Sequence, residues 1–503
     1  MKKSILAIVA LACMATLASA QRINFQMGDK SNKKAYHPAK IHIAEGHQPG
    51  QLLVVEPEFK SIAIGSELPT KALKVRLCDM EWNDIVRSVS IPNTKKTSIG
   101  EAFRSGDHMH LVLNCDEDNR LVVRHIKLDA RSLEISADQA LVDHPLQKGS
   151  ESNVWSLSSP NGQYHGVVYA VWPKKGESQA VAMMFDKDMN KLWERRLVYA
   201  DVFNVLVTDA GAIATMRMGT VEGNNDITAF RVNLATAEGE KHGEYVLDAD
   251  VSDVALLKCE GSRVLATALE GKGGYGLLRI GTLGHRHYTG VWGLVFDLDS
   301  QKIIVGNRHP FTDDEMLALC NEESGQKFVG KGVQFVQKVD DCPTPQGGAV
   351  LYQRTWKETV RDMKTGMTKS ETVYHKGILL VQADIQGGLA ISRIPQNNQN
   401  ASENPVGSSL FCRNGKVYVL TNESKHGTDE YTPDRPAERS RSLIMANAAL
   451  AIYWFTPDGQ GAKQMLETDR KAILFSPAYA GKEGRFYFLA GSMRPCLSSI
   501  TIP

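Results

Sequence analysis

The residues most able to do chemistry are two histidine pairs and one acidic loop. His108 and His110 lie two apart in a strand-like run, so both imidazoles are expected on one face. His285 and His287 repeat that spacing in a segment rich in glycine on its N-terminal side. Two imidazoles on one face begin a zinc site, which needs a third and usually a fourth ligand. No third ligand stands at a telling distance along the chain, and surface or hydrogen-bonded histidines give the same spacing. The stretch Asp186-Lys187-Asp188-Met189-Asn190 places oxygens at alternate positions, as a calcium loop does. It departs from the EF-hand pattern at Lys191, where glycine belongs, and at Leu197, where the bidentate glutamate belongs. A shorter calcium loop of the kind carried by some propellers stays open, beside plain Asx turns that use Asp and Asn without an ion.

Other motifs are incomplete. Gly271-Lys272-Gly273-Gly274-Tyr275-Gly276 satisfies the spacing of a dinucleotide loop, but LLRIGTL follows it and reads as a strand where a helix N-terminus must meet the pyrophosphate. The run GQKFVGKG ends in Gly332, where a phosphate loop needs the Ser or Thr that ligates magnesium. No G-x-S-x-G elbow and no H-E-x-x-H helix occurs. Triads and carboxylate pairs are recognised by geometry, which linear spacing does not give. The seven tryptophans are scattered, and read mainly as core packing, with a stacking platform for sugar or peptide as the functional alternative.

These side chains need elements to hold them, and the pattern is one of strands. Apolar residues come in runs of four to eight, alternate with polar ones, and are punctuated by Gly, Asn and Asp. Three kinds of turn recur. A turn ending in glycine launches a strand at Glu260-Gly261-Ser262-Arg263, Asn414-Gly415-Lys416 and Glu483-Gly484-Arg485. A strand, a polar turn and a return strand recur as IKLDARSLEI from Ile126, FDKDMNKLWERRL from Phe185, FRVNLATAEGEKHGEYV from Phe230, FDLDSQKIIV from Phe296 and FTPDGQGAKQML from Phe455. A Ser/Thr-Pro-x-Gly turn appears at Ser159, Thr344 and Thr456. The spacing of the hairpin units approaches that of propeller blades with inserted loops. The expected fold is all-β, a β-propeller of about six to eight blades filling 21–503 as a single domain, with 21–100 its least patterned part. One short helix is expected at about 313–321, because Thr312 and Glu315 have capping-box spacing. The polar stretches 396–405 and 426–441 read as loops.

The order PFTDDEMLAL, GKGVQFVQKVDDCPTPQGGAVLYQRTW, ISRIPQNNQN and SSLFCRNGKVYVLTNES resembles a group of exported, propeller-like proteins of unknown function from Bacteroidota. The resemblance spans roughly 150–495 and is clearest over 290–425. It implies a propeller in the cell envelope and brings no activity or catalytic residues with it.

The remaining features bound the function. Lys2 and Lys3, an apolar run over 5–17 and Ala18-Ser19-Ala20 form a secretory signal, with the mature chain expected to begin at Gln21. Cys13 makes a poor lipobox, because the residue three before it is Ala10 rather than leucine. No later apolar run is long enough to span a bilayer as a helix. The 58 basic residues less Lys2 and Lys3 fall one short of the 57 acidic, a balance that offers no field for nucleic acid. Cys78, Cys115, Cys259, Cys320, Cys342, Cys412 and Cys496 remain after the signal, an odd set without a C-x-x-C pair. They read as buried thiols with one or two disulfides in an oxidising compartment. The expectation is therefore an exported non-catalytic propeller, periplasmic or outer-membrane associated, with peripheral membrane association open to it. Its expected partner is an envelope protein or a glycan, with no cofactor evident and Ca2+ left open by the acidic loop. The alternative is a secreted peptide or polysaccharide hydrolase with its site at the channel mouth.

Overall fold

The computed structural model describes residues 23–27, 41–48, 50–63, 66–79, 84–92, 97–117, 119–221, 224–272, 286–320, 331–361, 368–400, 407–433, 448–466, 472–491 and 495–503. Within them the chain forms an eight-bladed β-propeller: seven four-stranded antiparallel sheets in chain order and a five-stranded sheet that closes the ring.

The first blade runs from His42–Glu45 to Asp84–Pro92 and the second from Thr97–Ser105 to Ile135–Pro145. The third runs from Glu151–Ser158 to Lys191–Arg196, the fourth from Asn204–Val207 to Glu240–Leu247 and the fifth from Val251–Glu260 to Lys302–Pro310. The sixth runs from Val336–Pro343 to Leu389–Asn400 and the seventh from Ser408–Arg413 to Gly461–Leu466. The eighth combines Ile473–Leu474, Tyr479–Ala480, Arg485–Gly491 and Pro495–Thr501 with the N-terminal strand Asn24–Met27, which pairs antiparallel to Pro495–Thr501 from Asn24 opposite Thr501. The two ends of the chain thereby share one sheet, so opening the ring requires breaking backbone hydrogen bonds.

Burial explains the strand sequences. The first strands of neighbouring blades contact one another around the axis, so they form the inner ring. Central strands are covered on both faces by adjacent blades and are apolar almost throughout, as in Gln179–Asp186, QAVAMMFD, where only the end residues are partly exposed. Outer strands keep one wet face and alternate, as in Glu240–Leu247, EKHGEYVL. Each of the eight seams between blades carries its own apolar cluster. At the seam of the fourth and fifth blades, Phe230 and Tyr245 meet Phe296 with ring centroids 5.1 and 5.0 Å apart. Tryptophan serves the same purpose at the next seam, where buried Trp193 of the third blade donates its indole N–H to the Gly211 carbonyl of the fourth.

The helix occupies Asp313–Cys320, between the fifth and sixth blades. Its capping box is formed as expected: Glu315 N–H donates to Thr312 Oγ1 at 3.2 Å, and Thr312 N–H to Glu315 Oε2 at 2.8 Å. The reading of 396–405 as loop is corrected in part. Leu389–Asn400 is a strand, with Asn400 opposite Val373, because the long neighbour Thr368–Asp384 offers ladder partners to a polar sequence that would not form a strand alone.

The recurring turns sort onto one face. In a meander of four antiparallel strands, the first-to-second and third-to-fourth hairpins lie at the same end. The glycine-ending turns are first-to-second hairpins of the fifth, seventh and eighth blades, and their glycines Gly261, Gly415 and Gly484 take φ of 60°, 72° and 77°. The polar hairpins from Ile126, Phe185, Phe230, Phe296 and Phe455 are third-to-fourth hairpins of the second, third, fourth, fifth and seventh blades. All three Ser/Thr-Pro-x-Gly turns fall on this same face.

Candidate functional site

The inner strands end at this face, and their turns surround a cleft of about 540 Å³ at the channel mouth. Five consecutive blades line it: Pro160 from the third, Leu206 to Ala210 from the fourth, Leu257 to Cys259 from the fifth, Pro343 to Pro345 from the sixth and Cys412 to Lys416 from the seventh. Its walls are apolar through Leu206, Val207, Leu257 and three prolines, with polar side chains set between them. Concave, mainly apolar surfaces with a few placed polar groups are where ligands bind.

The wall is held by local bonds. Thr344 Oγ1 accepts the Gly347 N–H at 3.0 Å, and Thr208 Oγ1 accepts the Ala212 N–H at 3.0 Å, so each turn is closed by its own hydroxyl. Gly348 lies so close to the fifth blade that a Cβ there would fall 2.6 Å from Leu257 Cβ. The Cys342–Cys412 disulfide ties the ends of the inner strands of the sixth and seventh blades. Two residues earlier, Asp340 Oδ2 accepts the Leu410 N–H at 2.8 Å across the same pair of strands. Burial pushes the Asp340 carboxyl up to about 7. Cys259 stands near the end of the fifth inner strand, and burial, with Glu260 beside it, pushes its thiol up to about 12, which keeps it a protonated and poor nucleophile. The other free cysteines, Cys78, Cys115, Cys320 and Cys496, are buried.

Charge is uneven in the lining. Lys258, Arg413 and Lys416 are cationic, and Asp209 is the one carboxylate. Asp209 Oδ1 already accepts the Asn161 N–H at 2.8 Å. Lys258 Nζ donates to the Pro345 carbonyl and stands 3.9 Å from exposed Glu260. Neither Arg413 nor Lys416 forms an ion pair among the described residues, and the buried Arg413 Nε has no hydrogen-bond partner there.

The residues singled out by sequence lie elsewhere. His110 is fully buried in the second blade, and its Nδ1 meets His125 Nε2 of the adjacent strand at 2.9 Å; His108 is only half-buried. His108 and His110 stand two apart in the strand His108–Glu117, and the partner His110 meets is a histidine of the neighbouring strand that the linear spacing does not point to. Burial holds His110 down at about 3 and His125 at about 4, with the cationic Lys127 acting in the same sense. Phe103 stacks on His110 and on His165 of the third blade. Ser158 Oγ bridges His165 Nδ1, at 2.8 Å, and Glu101. Glu101 Oε2 also approaches His165 Nδ1, at 3.4 Å, so serine and acid engage the same ring nitrogen and the serine–base–acid order of a triad is not formed. His287 is hydrogen-bonded at both nitrogens, to the Gly332 carbonyl at 3.3 Å and the Gln334 side-chain amide at 2.9 Å, while His285 lies outside the described residues. Asp186 Oδ1 accepts the N–H groups of Asp188 and Asn190, and Asp188 binds Ser105 at 2.7 Å and Lys187 at 2.9 Å. The carboxylates of the calcium-like loop close its own Asx turn and staple the third blade to the second. Among the described residues no three His, Cys, Asp or Glu side chains are grouped to hold a metal. Gly271 and Lys272 end a strand paired antiparallel with His287–Asp297, while Gly273 to Gly276 and the LLRIGTL stretch lie outside the described residues.

No protein-family model matches the chain, and no curated protein matches it. Among solved structures it is similar to the WD40 domain of SCAP from fission yeast, at 9% identity over 95% of this chain and 97% of that one, with a TM-score of 0.36. It is also similar to the Dos1 propeller, at 8% identity over 93% and 94% of the two chains, TM-score 0.35. A third, Sqt1 from Chaetomium thermophilum, bound to the N-terminus of a ribosomal protein, gives 10% identity over 93% and 98%, TM-score 0.42. These likenesses concern the fold alone.

The cleft residues escaped the sequence reading because each is a turn or strand end with a sufficient local explanation. The available signal was the recurrence of Pro and Gly turns at Ser159, Thr344 and Asn414; their convergence is a product of ring closure.

Proposed function

We propose that this chain is an exported protein of the cell envelope that binds a protein partner, without catalysing a reaction, through the cleft at its channel mouth. The observation that carries the reading is the cleft itself: five blades contribute rigid, self-closed turns to one concave surface with apolar walls. Sites presented on rigid elements bind with little ordering cost. Among the described residues the lining holds one carboxylate, already bonded to a backbone N–H, and no histidine, which supports binding over hydrolysis. Export rests on the lysine, apolar and Ala-Ser-Ala order of the first 20 residues.

The test uses the full chain, tagged and crosslinked in intact cells of its native host, with Ala210→Trp as the comparison. Ala210 is exposed at the cleft, so an indole there blocks the site without entering the core. A protein captured by the wild type and lost with A210W is the expected result. Capture that A210W leaves intact removes the cleft from the reading, and capture of a glycan in place of a protein changes the partner class. Intact mass of the purified protein is expected to begin at Gln21; a retained leader overturns export.

A further inference from the structure

We infer that the channel-mouth cleft takes an acidic peptide segment of its partner, carboxylates on the cationic rim and an apolar side chain on the floor; this rests on the protein-binding reading above. Three cations, Lys258, Arg413 and Lys416, come from the ends of the fifth and seventh inner strands and the adjoining turns. The folded protein leaves two of them without a counter-charge among the described residues, while the single carboxylate of the lining is occupied by Asn161. Glu260, 63% exposed, stands only at the edge of the Lys258 amine's reach, 3.9 Å away.

The geometry of the three cations suits a peptide better than a small anion. Lys258 and the pair Arg413 and Lys416 belong to blades separated by the sixth, whose Pro343, Thr344 and Pro345 lie between them. A compact anion meets one cation or the other. An extended chain crossing the cleft meets both, and sets an apolar side chain between them against Pro343, Pro345, Leu206 and Leu257. Guanidinium groups bind carboxylates in a planar fork, so Arg413 is the member that fixes register; its Nε is buried against Gly484, which leaves the terminal Nη groups to meet a carboxylate. Opposite charge across the rim also steers encounter and makes it sensitive to salt.

The probe is a fluorescein-labelled, N-acetylated octapeptide of alternating glutamate and leucine, titrated by anisotropy against the purified mature chain. Its counterpart is the same peptide with lysine in place of glutamate. Saturable binding of the glutamate peptide, absent for the lysine peptide, is expected. Replacing Lys258, Arg413 and Lys416 together by glutamine is expected to weaken it by about tenfold or more, since each solvated charge pair contributes a fraction of a kcal/mol. Circular dichroism of that variant, whose three changed side chains are half-buried, shows whether the fold survives; should it not, the single Lys416→Gln variant gives the same direction with a smaller loss. Equal binding of both peptides, no binding of either, or binding indifferent to the glutamines overturns the inference. A partner captured in cells and lost with A210W, combined with failure of the glutamate peptide, sinks the acidic-segment inference and leaves protein binding standing.

Discussion

The buried histidines of the second blade make the stability of this propeller depend steeply on acid. His110 is 0% and His125 3% exposed, and burial holds them at about 3 and 4 against an unfolded value of 6.5. Among the described residues the charged groups around them are Lys127, His165, Asp138 and Asp188, of which the two carboxylates favour an added proton. A folded-state value below the unfolded one means that the unfolded chain binds the proton more readily. Stability is therefore complete above the unfolded value and is lost as pH falls through it toward the folded values. At about pH 5 the unfolded imidazole is protonated and the folded one is not, which costs about 2 kcal/mol for each histidine, or about 4 kcal/mol for the two. Urea unfolding followed by tryptophan fluorescence at about pH 7, 6 and 5 measures this directly. In His110→Gln, which keeps a hydrogen-bonding group toward His125, the drop between pH 7 and pH 5 is expected to shrink by about 2 kcal/mol. Parallel pH profiles for the wild type and H110Q refute the reasoning, since they place the acid sensitivity in other groups.

Further outcomes follow from single contacts. Changing Cys342 and Cys412 together to serine removes a crosslink between residues 70 apart and is expected to cost about 4 kcal/mol by loop-closure entropy, read as a lower urea midpoint. Arg76 pairs with Glu56 at 2.6 Å, both nearly excluded from solvent, so Arg76→Ala takes a close counter-charge from a buried carboxylate and is expected to cost about 3–5 kcal/mol. The double change Glu56→Leu with Arg76→Met is expected to cost far less; equal losses in the two variants argue against the pairing. Deleting residues 21–27 uncovers the edge of Pro495–Thr501, and size-exclusion chromatography is expected to show self-association that the intact chain lacks.

Much of the architecture is written locally. Strand periodicity, the glycine turns before Arg263, Lys416 and Arg485, and the Thr312–Glu315 capping box depend on neighbours within a few residues. They place hairpins and a helix where the structure has them. Blade number is read only to within a range, because it depends on counting strands in stretches such as 389–400, whose polar sequence is held in the sheet by its partner strand. The proposal of export rests on the same kind of local pattern, in the first 20 residues.

What tertiary structure alone decides is which side chains meet. His110 meets His125, fifteen residues away; Asp186 and Asp188 close a turn and staple a seam; Cys342 joins Cys412 across two blades. The cleft gathers residues from Pro160 to Lys416 that have no periodic relation in the chain. The physical reason is that a propeller repeats its local structure by sequence but builds its central surface from one turn per blade. Ring closure, through four residues at the N-terminus pairing with the C-terminal strand, sets where those turns converge.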